Sequence, residues 1–229
     1  MESSYRVTHL RPKNMDVMLH NGSEVTVPVF DAKSMILDLL TNKITMDKAN
    51  IAEGYNVFTG NVDDGHTANK KYGEIHTGDA WLPACNRFCN TKDENNNDMP
   101  VGLVIFGDKS HTDLHGALSL TPIIFTLTMF NRTSRNNTNF WRPLGYIPNL
   151  GYGKNKADKT ETRDKIQDEH TCLSVVFESV REIHRKGGFL ATVMGREVTI
   201  KVWIHYFIGD TEGNNKWLGH YPGNKSQVS

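Results

Sequence analysis

Apolar residues are distributed unevenly along the chain, and their spacing divides it. Residues 23–30 (SEVTVPVF) alternate weakly, as a half-buried strand does. Asp31 then stands where an N-cap belongs, ahead of a helix over residues 32–40 with Met35, Ile36, Leu39 and Leu40 on one face. Residues 60–100 are poor in apolar side chains and end in TKDENNNDMP, an Asn- and Asp-rich loop closed by Pro100. The character then changes. Residues 101–106 (VGLVIF) are long enough for a buried strand but not for a helix. Residues 121–130 (TPIIFTLTMF) are β-branched and aromatic and read as a second strand. Residues 140–147 (FWRPLGYI) read as a third, with Pro143 arguing for a bend or an edge.

A polar, lysine-rich stretch over residues 151–165 follows, without apolar periodicity. From residue 166 to 184 the spacing becomes helical, with Leu173, Val176, Phe177, Val180 and Ile183 at three- and four-residue steps and Gly187-Gly188 as the stop. Cys172 lies near that stripe and is assigned to the core. The final strand covers residues 197–208, where Val198, Ile200, Val202, Ile204 and Ile208 fall on one face. The predicted order is strand, strand, strand, helix, strand within residues 101–210. This is an α/β arrangement, preceded by a small α+β annex within residues 1–99.

Composition narrows the function classes. The chain has 229 residues, 38% of them hydrophobic, enough for a true core. Lys+Arg and Asp+Glu both total 26, so the net charge is zero; a chain that grips DNA by phosphate contacts usually shows a basic surplus somewhere. Three cysteines do not make a disulfide framework and fit a reducing compartment. With no apolar leader and no run long enough to span a bilayer, the chain reads as nuclear or cytosolic, with no membrane partner. It contains no G-x-G-x-x-G before a helix, no P-loop and no G-x-S-x-G elbow.

The candidate chemistry lies where the strands end. Asp108 follows the first apolar strand in VIFGDKS, and Asp210 follows the last in HYFIGDTEGNN. If those strands are parallel neighbours, both carboxylates emerge at the carboxyl edge, where open α/β sheets place their ligands. Two close carboxylates repel unless a cation lies between them, and hard oxygen ligands favour Mg²⁺ or Mn²⁺. Such ions serve in-line attack on a phosphodiester. An Asp after a strand is equally the ordinary residue of turns and helix caps. Lys109 is placed to meet a phosphate as a point charge, and His111, Asp113 and His115 crowd the same loop, which is also what a solvated turn looks like. Glu212, Trp217, His220 and Tyr221 have both a ligand or stacking role and a turn or packing role open to them. Cys85 and Cys89 with His76 are half of a zinc site at best, at looser than usual spacing.

Beyond the residues taken singly, residues 100–224 resemble the catalytic region of CACTA (En/Spm) transposases, nearest the Plavaka-type group. Three blocks carry the likeness: PVGLVIFGDKSHTDLHGALSLTPIIFTL, then SVVFESVREIHRKGGF, then VWIHYFIGDTEGNNKWLGHYPGN. The upstream piece GEIHTGDAWLPA is similar to the acidic-aromatic segment these proteins carry before the first strand. The resemblance implies a ribonuclease H-like mixed sheet in residues 100–229, a DDE/D cut-and-paste mechanism with Mg²⁺ (or Mn²⁺), and DNA as partner, both transposon ends and target site, with self-association possible in such systems. It makes Asp108 the first acid and Asp210 the second, with Lys109, His111, Asn214, Asn215 and Lys216 as DNA contacts. The family's third acid lies well downstream on a later helix and its Cys-rich segment is missing before Ser229, so the likeness implies a partial core. The rival expectation is a non-catalytic transposon remnant that binds DNA or protein.

Overall fold

The computed structural model describes residues 11–61, 73–89, 97–108, 110–111, 119–150 and 159–209; the side chains of residues 110, 111, 119 and 159–162 lie outside that description. One mixed sheet organises them. Its strands are β1 (Lys13–Met18), β2 (Glu24–Val29), β3 (Asp98–Gly107), the short β4 (Ser110–His111), β5 (Ser119–Leu127), β6 (Arg142–Pro148), β7 (Phe189–Val193) and β8 (Arg196–Ile208). They run in the order β1-β2-β6-β5-β3-β8-β7, with β4 pairing β5. Every adjacent pair is antiparallel except β3 and β8, which are parallel. A parallel pair requires a crossover, and the chain between β6 and β8 supplies it with helices α4 (Lys159–Val176) and α5 (Glu178–Arg185).

The two faces of the sheet are covered differently. Helices α4 and α5 lie on one face together with α1 (Ala32–Thr41), which packs against α5 and β6. Asp31 caps α1 as its sequence position predicts, accepting from Ser34 N at 2.8 Å, and Ala32, Met35, Ile36, Leu39 and Leu40 are buried. Cys172, Val176, Val180 and Ile183 are buried too, although the predicted single helix is two helices that break at Phe177. On this face the α4–sheet approach is close: a Cβ on Gly145 would sit 2.8 Å from Val176 Cγ2.

The other face carries α2 (Trp81–Phe88), two 3-10 turns (Lys48–Asn50 and Ile75–Thr77), and the segment holding α3 (Arg132–Arg135) and a third such turn, Thr138–Phe140. Trp81 is its centre. Its indole Nε1 donates to Gly60 O at 2.9 Å, and its ring lies 5.7 Å from Tyr55, 5.4 Å from Trp203 and 5.3 Å from His205. Gly102 leaves room for it, since a Cβ there would meet Trp81 and Thr128 within 3.1 Å. Glu74, from the GEIHTGDAWLPA piece, accepts from Arg132 N at 2.8 Å and pairs with Arg135 at 2.7 Å, tying this layer to α3.

Besides the short β4, α3 and the 3-10 turns, β1, β7 and α2 are additions to the sequence reading. Strand β1 is mostly polar on its exposed side and is joined to β2 by a turn through Asn21-Gly22, with Gly22 at φ +78°. Strand β7 forms a hairpin with β8 through Met194 (φ +51°) and Gly195 (φ +79°), the paired positive φ values of a type I′ turn. Helix α2 lies in a region whose overall polarity hid it. Pro143 does mark an irregularity: Ile123 pairs Gly145 and Ile124 pairs Pro143, which leaves Leu144 bulged, in a strand that is internal and not at an edge.

Candidate active-site edge

Sheet pairing brings the first and last apolar runs of the sequence side by side. Strands β3 and β8 run parallel from Asp98↔Thr199 to Phe106↔Ile208. Strand β3 reads VGLVIF because its neighbours cover it from both sides and both faces; residues 99–105 are buried throughout. The strand ends at Gly107, and Asp108 is the next residue, exposed at its carboxyl end. Gly209 likewise follows the last paired residue of β8. Parallel pairing of these two strands, left as a condition by the sequence, is thus observed.

Of the residues singled out in the sequence, Asp108 is described and exposed. His111 is placed by its backbone in β4, opposite Ser119. Lys109, Asp113, His115, Asp210, Glu212, Asn214, Asn215, Lys216, Trp217, His220 and Tyr221 lie outside the described residues. A single exposed carboxylate at a strand end is a suitable hard-oxygen donor for Mg²⁺ or Mn²⁺ but not a site by itself. Among the described residues no group of three or more His, Cys, Asp or Glu is arranged to hold a metal ion. Cys85 and Cys89, one turn apart on α2, are both buried free thiols, and burial raises each to about 12. They belong to the packed layer around Trp81.

On the Trp81 face lie buried polar groups, of which the sequence reading singled out only His76. His205 accepts from Trp203 Nε1 at Nδ1 over 3.2 Å, so a neutral His205 carries its proton on Nε2, which is buried without a partner. Burial lowers the pKa of His205 and, against a smaller opposing effect of Glu74, that of His76. Tyr55 Oη, His76 Nδ1, Thr126 Oγ1 and Thr128 Oγ1 are also buried and unpartnered. On the helical side, Asp168 is buried and accepts from His20 N at 3.1 Å and from His20 Nδ1 at 2.6 Å. That hydrogen bond is the main reason the His20 pKa is raised. No sequence signal for Asp168 existed beyond its place on the helix.

Compared with known families, the chain matches the model of Plavaka transposase over residues 4–216. The chain belongs to the Plavaka transposase family. The matched residues take in the β1–β2 hairpin, α1 and the Trp81 layer as well as the strands that lead to Asp108. No curated protein and no solved structure matches this Plavaka chain. Among its described residues no helix is long and apolar enough to cross a membrane.

Proposed function

We propose that this Plavaka chain contributes the front part of a DNA transposase catalytic core of the DDE/D type, with Asp108 and Asp210 as two carboxylates of one metal site. The observation that carries the reading is the parallel pairing of β3 and β8, with Phe106 opposite Ile208 and Asp108 two residues beyond Phe106. Asp210 stands two residues beyond Ile208 in the sequence.

The sheet supports the same reading at the level of fold. Three antiparallel strands in sequence (β3, β5, β6), then a helical crossover to a strand parallel to the first, is the order expected of a ribonuclease H-like core. Strand β7 and the β1–β2 hairpin are additions at its two edges. When bound, Mg²⁺ or Mn²⁺ supplies activation of the attacking oxygen and stabilisation of the leaving one. The chain's own part is to hold cations by Asp108 and Asp210 and to keep both at one sheet edge. Lys109, His111, Asn214, Asn215 and Lys216 are proposed to meet the DNA backbone.

The test is Mn²⁺-dependent nicking of supercoiled DNA by the full-length protein. Nicking that is lost in Asp108→Ala and in Asp210→Ala supports the reading. A folded chain that binds duplex DNA yet never nicks it, with either aspartate present, supports the non-catalytic remnant instead; the zero net charge is the observation that favours that second reading.

A further inference from the structure

We propose that Phe106, Trp141, Tyr206 and Ile208 form a stacking platform for an unpaired base of the DNA, beside the phosphodiester bound at Asp108. The inference rests on the reading of that edge as the catalytic one.

Sheet pairing assembles the platform. Residues 102, 104 and 106 of β3 face the Trp81 layer, because a Cβ on Gly102 would lie 3.1 Å from Trp81 and side chains alternate with period two. Phe106 agrees, since its ring meets that of Trp141 at 6.4 Å. Leu103 pairs with Ile204 but Val104 pairs with Tyr206, so β8 bulges at His205. Tyr206 thereby joins His205 on the Trp81 side, the two rings 4.4 Å apart. Ile208, paired with Phe106, shares that face. Strand β7 pairs with β8 only as far as Ile200. Beyond it, among the described residues, β3 is the only sheet neighbour of β8, and Tyr206 and Ile208 are 41% and 47% exposed.

Both sides of the platform are anchored. Tyr206 Oη lies 3.9 Å from where a Cβ on Gly78 would be, at the turn that leads into α2. Trp141 Nε1 donates to Arg135 O at 2.7 Å, which seats its ring on α3. Glu74 ties the two sides together, accepting from Arg132 N and pairing with Arg135. A surface set before its ligand arrives loses little freedom on binding.

The occupant follows from chemistry and place. Three flat rings and a branched aliphatic, with no cation among them, suit an uncharged flat group and not a phosphate. The platform ends two residues before Asp108, the exposed carboxylate of the edge. DNA is the partner that membership of a transposase family implies, and every base has a π-face. A paired base keeps its faces in the duplex stack, so the base that lies here is an unpaired one.

The test asks whether binding depends on bases. Fluorescence anisotropy compares two labelled single strands of equal length, an oligothymidylate and an abasic oligonucleotide with the same phosphates. The full-length protein is used in EDTA and as Asp108→Asn, which removes the carboxylate's repulsion and any need for metal. Oligothymidylate is expected to bind at least about five-fold more tightly than the abasic strand. That gap is expected to close in Tyr206→Ser and in Ile208→Ser, both at exposed positions and each shown to be folded by circular dichroism. Oligothymidylate that binds no tighter than the abasic strand overturns the proposal, as does a gap that persists in both variants. Should Ile208→Ser instead dissociate a dimer seen by sedimentation, with no base-dependent gap in the parent, the face belongs to a second copy and the proposal falls. The catalytic reading fails separately, if Mn²⁺-dependent nicking never appears while the base-dependent gap holds.

Discussion

A carboxylate withdrawn from water must find other donors, and Asp168 finds the backbone N–H and the ring of His20. Because the folded His20 pKa is raised, the pair stabilises the fold fully below the unfolded value near 6.5, and that contribution is lost as pH rises through the folded value. The melting-temperature difference between the parent protein and His20→Ala is therefore expected to be largest below pH 6.5 and to shrink at higher pH; a difference that grows with pH would contradict it. His76 and His205 act with the opposite sign. Burial lowers both, so the fold resists their protonation and stability falls as pH drops below the unfolded value. Replacing His205 by Gln is expected to make the acid limb of the stability profile shallower, as thermal melts from pH 7 to pH 5 would show.

At the scale of elements, the turns that shape β7 and β8 are the sensitive points. Gly188 has φ +107°, and a Cβ there would lie 2.4 Å from Ile200 O, which is backbone and cannot give way. Gly22 has φ +78° with open space around it. Gly188→Ala is expected to cost at least ~3 kcal/mol, and Gly22→Ala only ~1 kcal/mol, in denaturant unfolding; equal costs would contradict the account of the β7 approach. The elements legible in the sequence were those with one-sided or complete burial: α1 with its Asp31 cap, the apolar β3, the β-branched β5, and β8. Strand β1 offered only Asn21-Gly22 as a sign, and β7 only Gly195, because Met194 is an unusual partner in such a turn. In β8 the apolar residues Ile204 and Ile208 looked like one face, but the bulge at His205 separates them and leaves Ile208 47% exposed. A bulge depends on what the neighbouring strand presents, so local periodicity does not announce it. Asp108 was legible because an apolar run stops beside it; the buried Tyr55, Thr126, Thr128 and His205 were not, since their burial depends on elements packed over them from elsewhere in the chain.

Over the whole molecule, residues from both ends of the described chain share one sheet. Val29 of β2 pairs Gly145 of β6, and Phe30 N donates to Leu144 O at 2.8 Å, so the N-terminal hairpin extends the same sheet that ends in β8 and β7. Core residues from Val17 to Trp203 form one cluster. A continuous core of this kind is expected to unfold in one calorimetric transition, with van't Hoff and calorimetric enthalpies equal; two resolved transitions would show that the hairpin and α1 fold apart from the rest. The arrangement also gives the parallel β3–β8 pair a rigid setting, with covered strands on each side of it, while its carboxyl end carries the exposed Asp108. Precise placement of charged ligands is best achieved on such strands. The central claim is that this edge holds a divalent cation between Asp108 and Asp210. It is tested most directly by isothermal titration of Mn²⁺ into the parent protein, Asp108→Ala and Asp210→Ala, each shown to be folded by circular dichroism. The account predicts tight binding to the parent and loss of that binding in both variants; unchanged affinity in the two variants would contradict it.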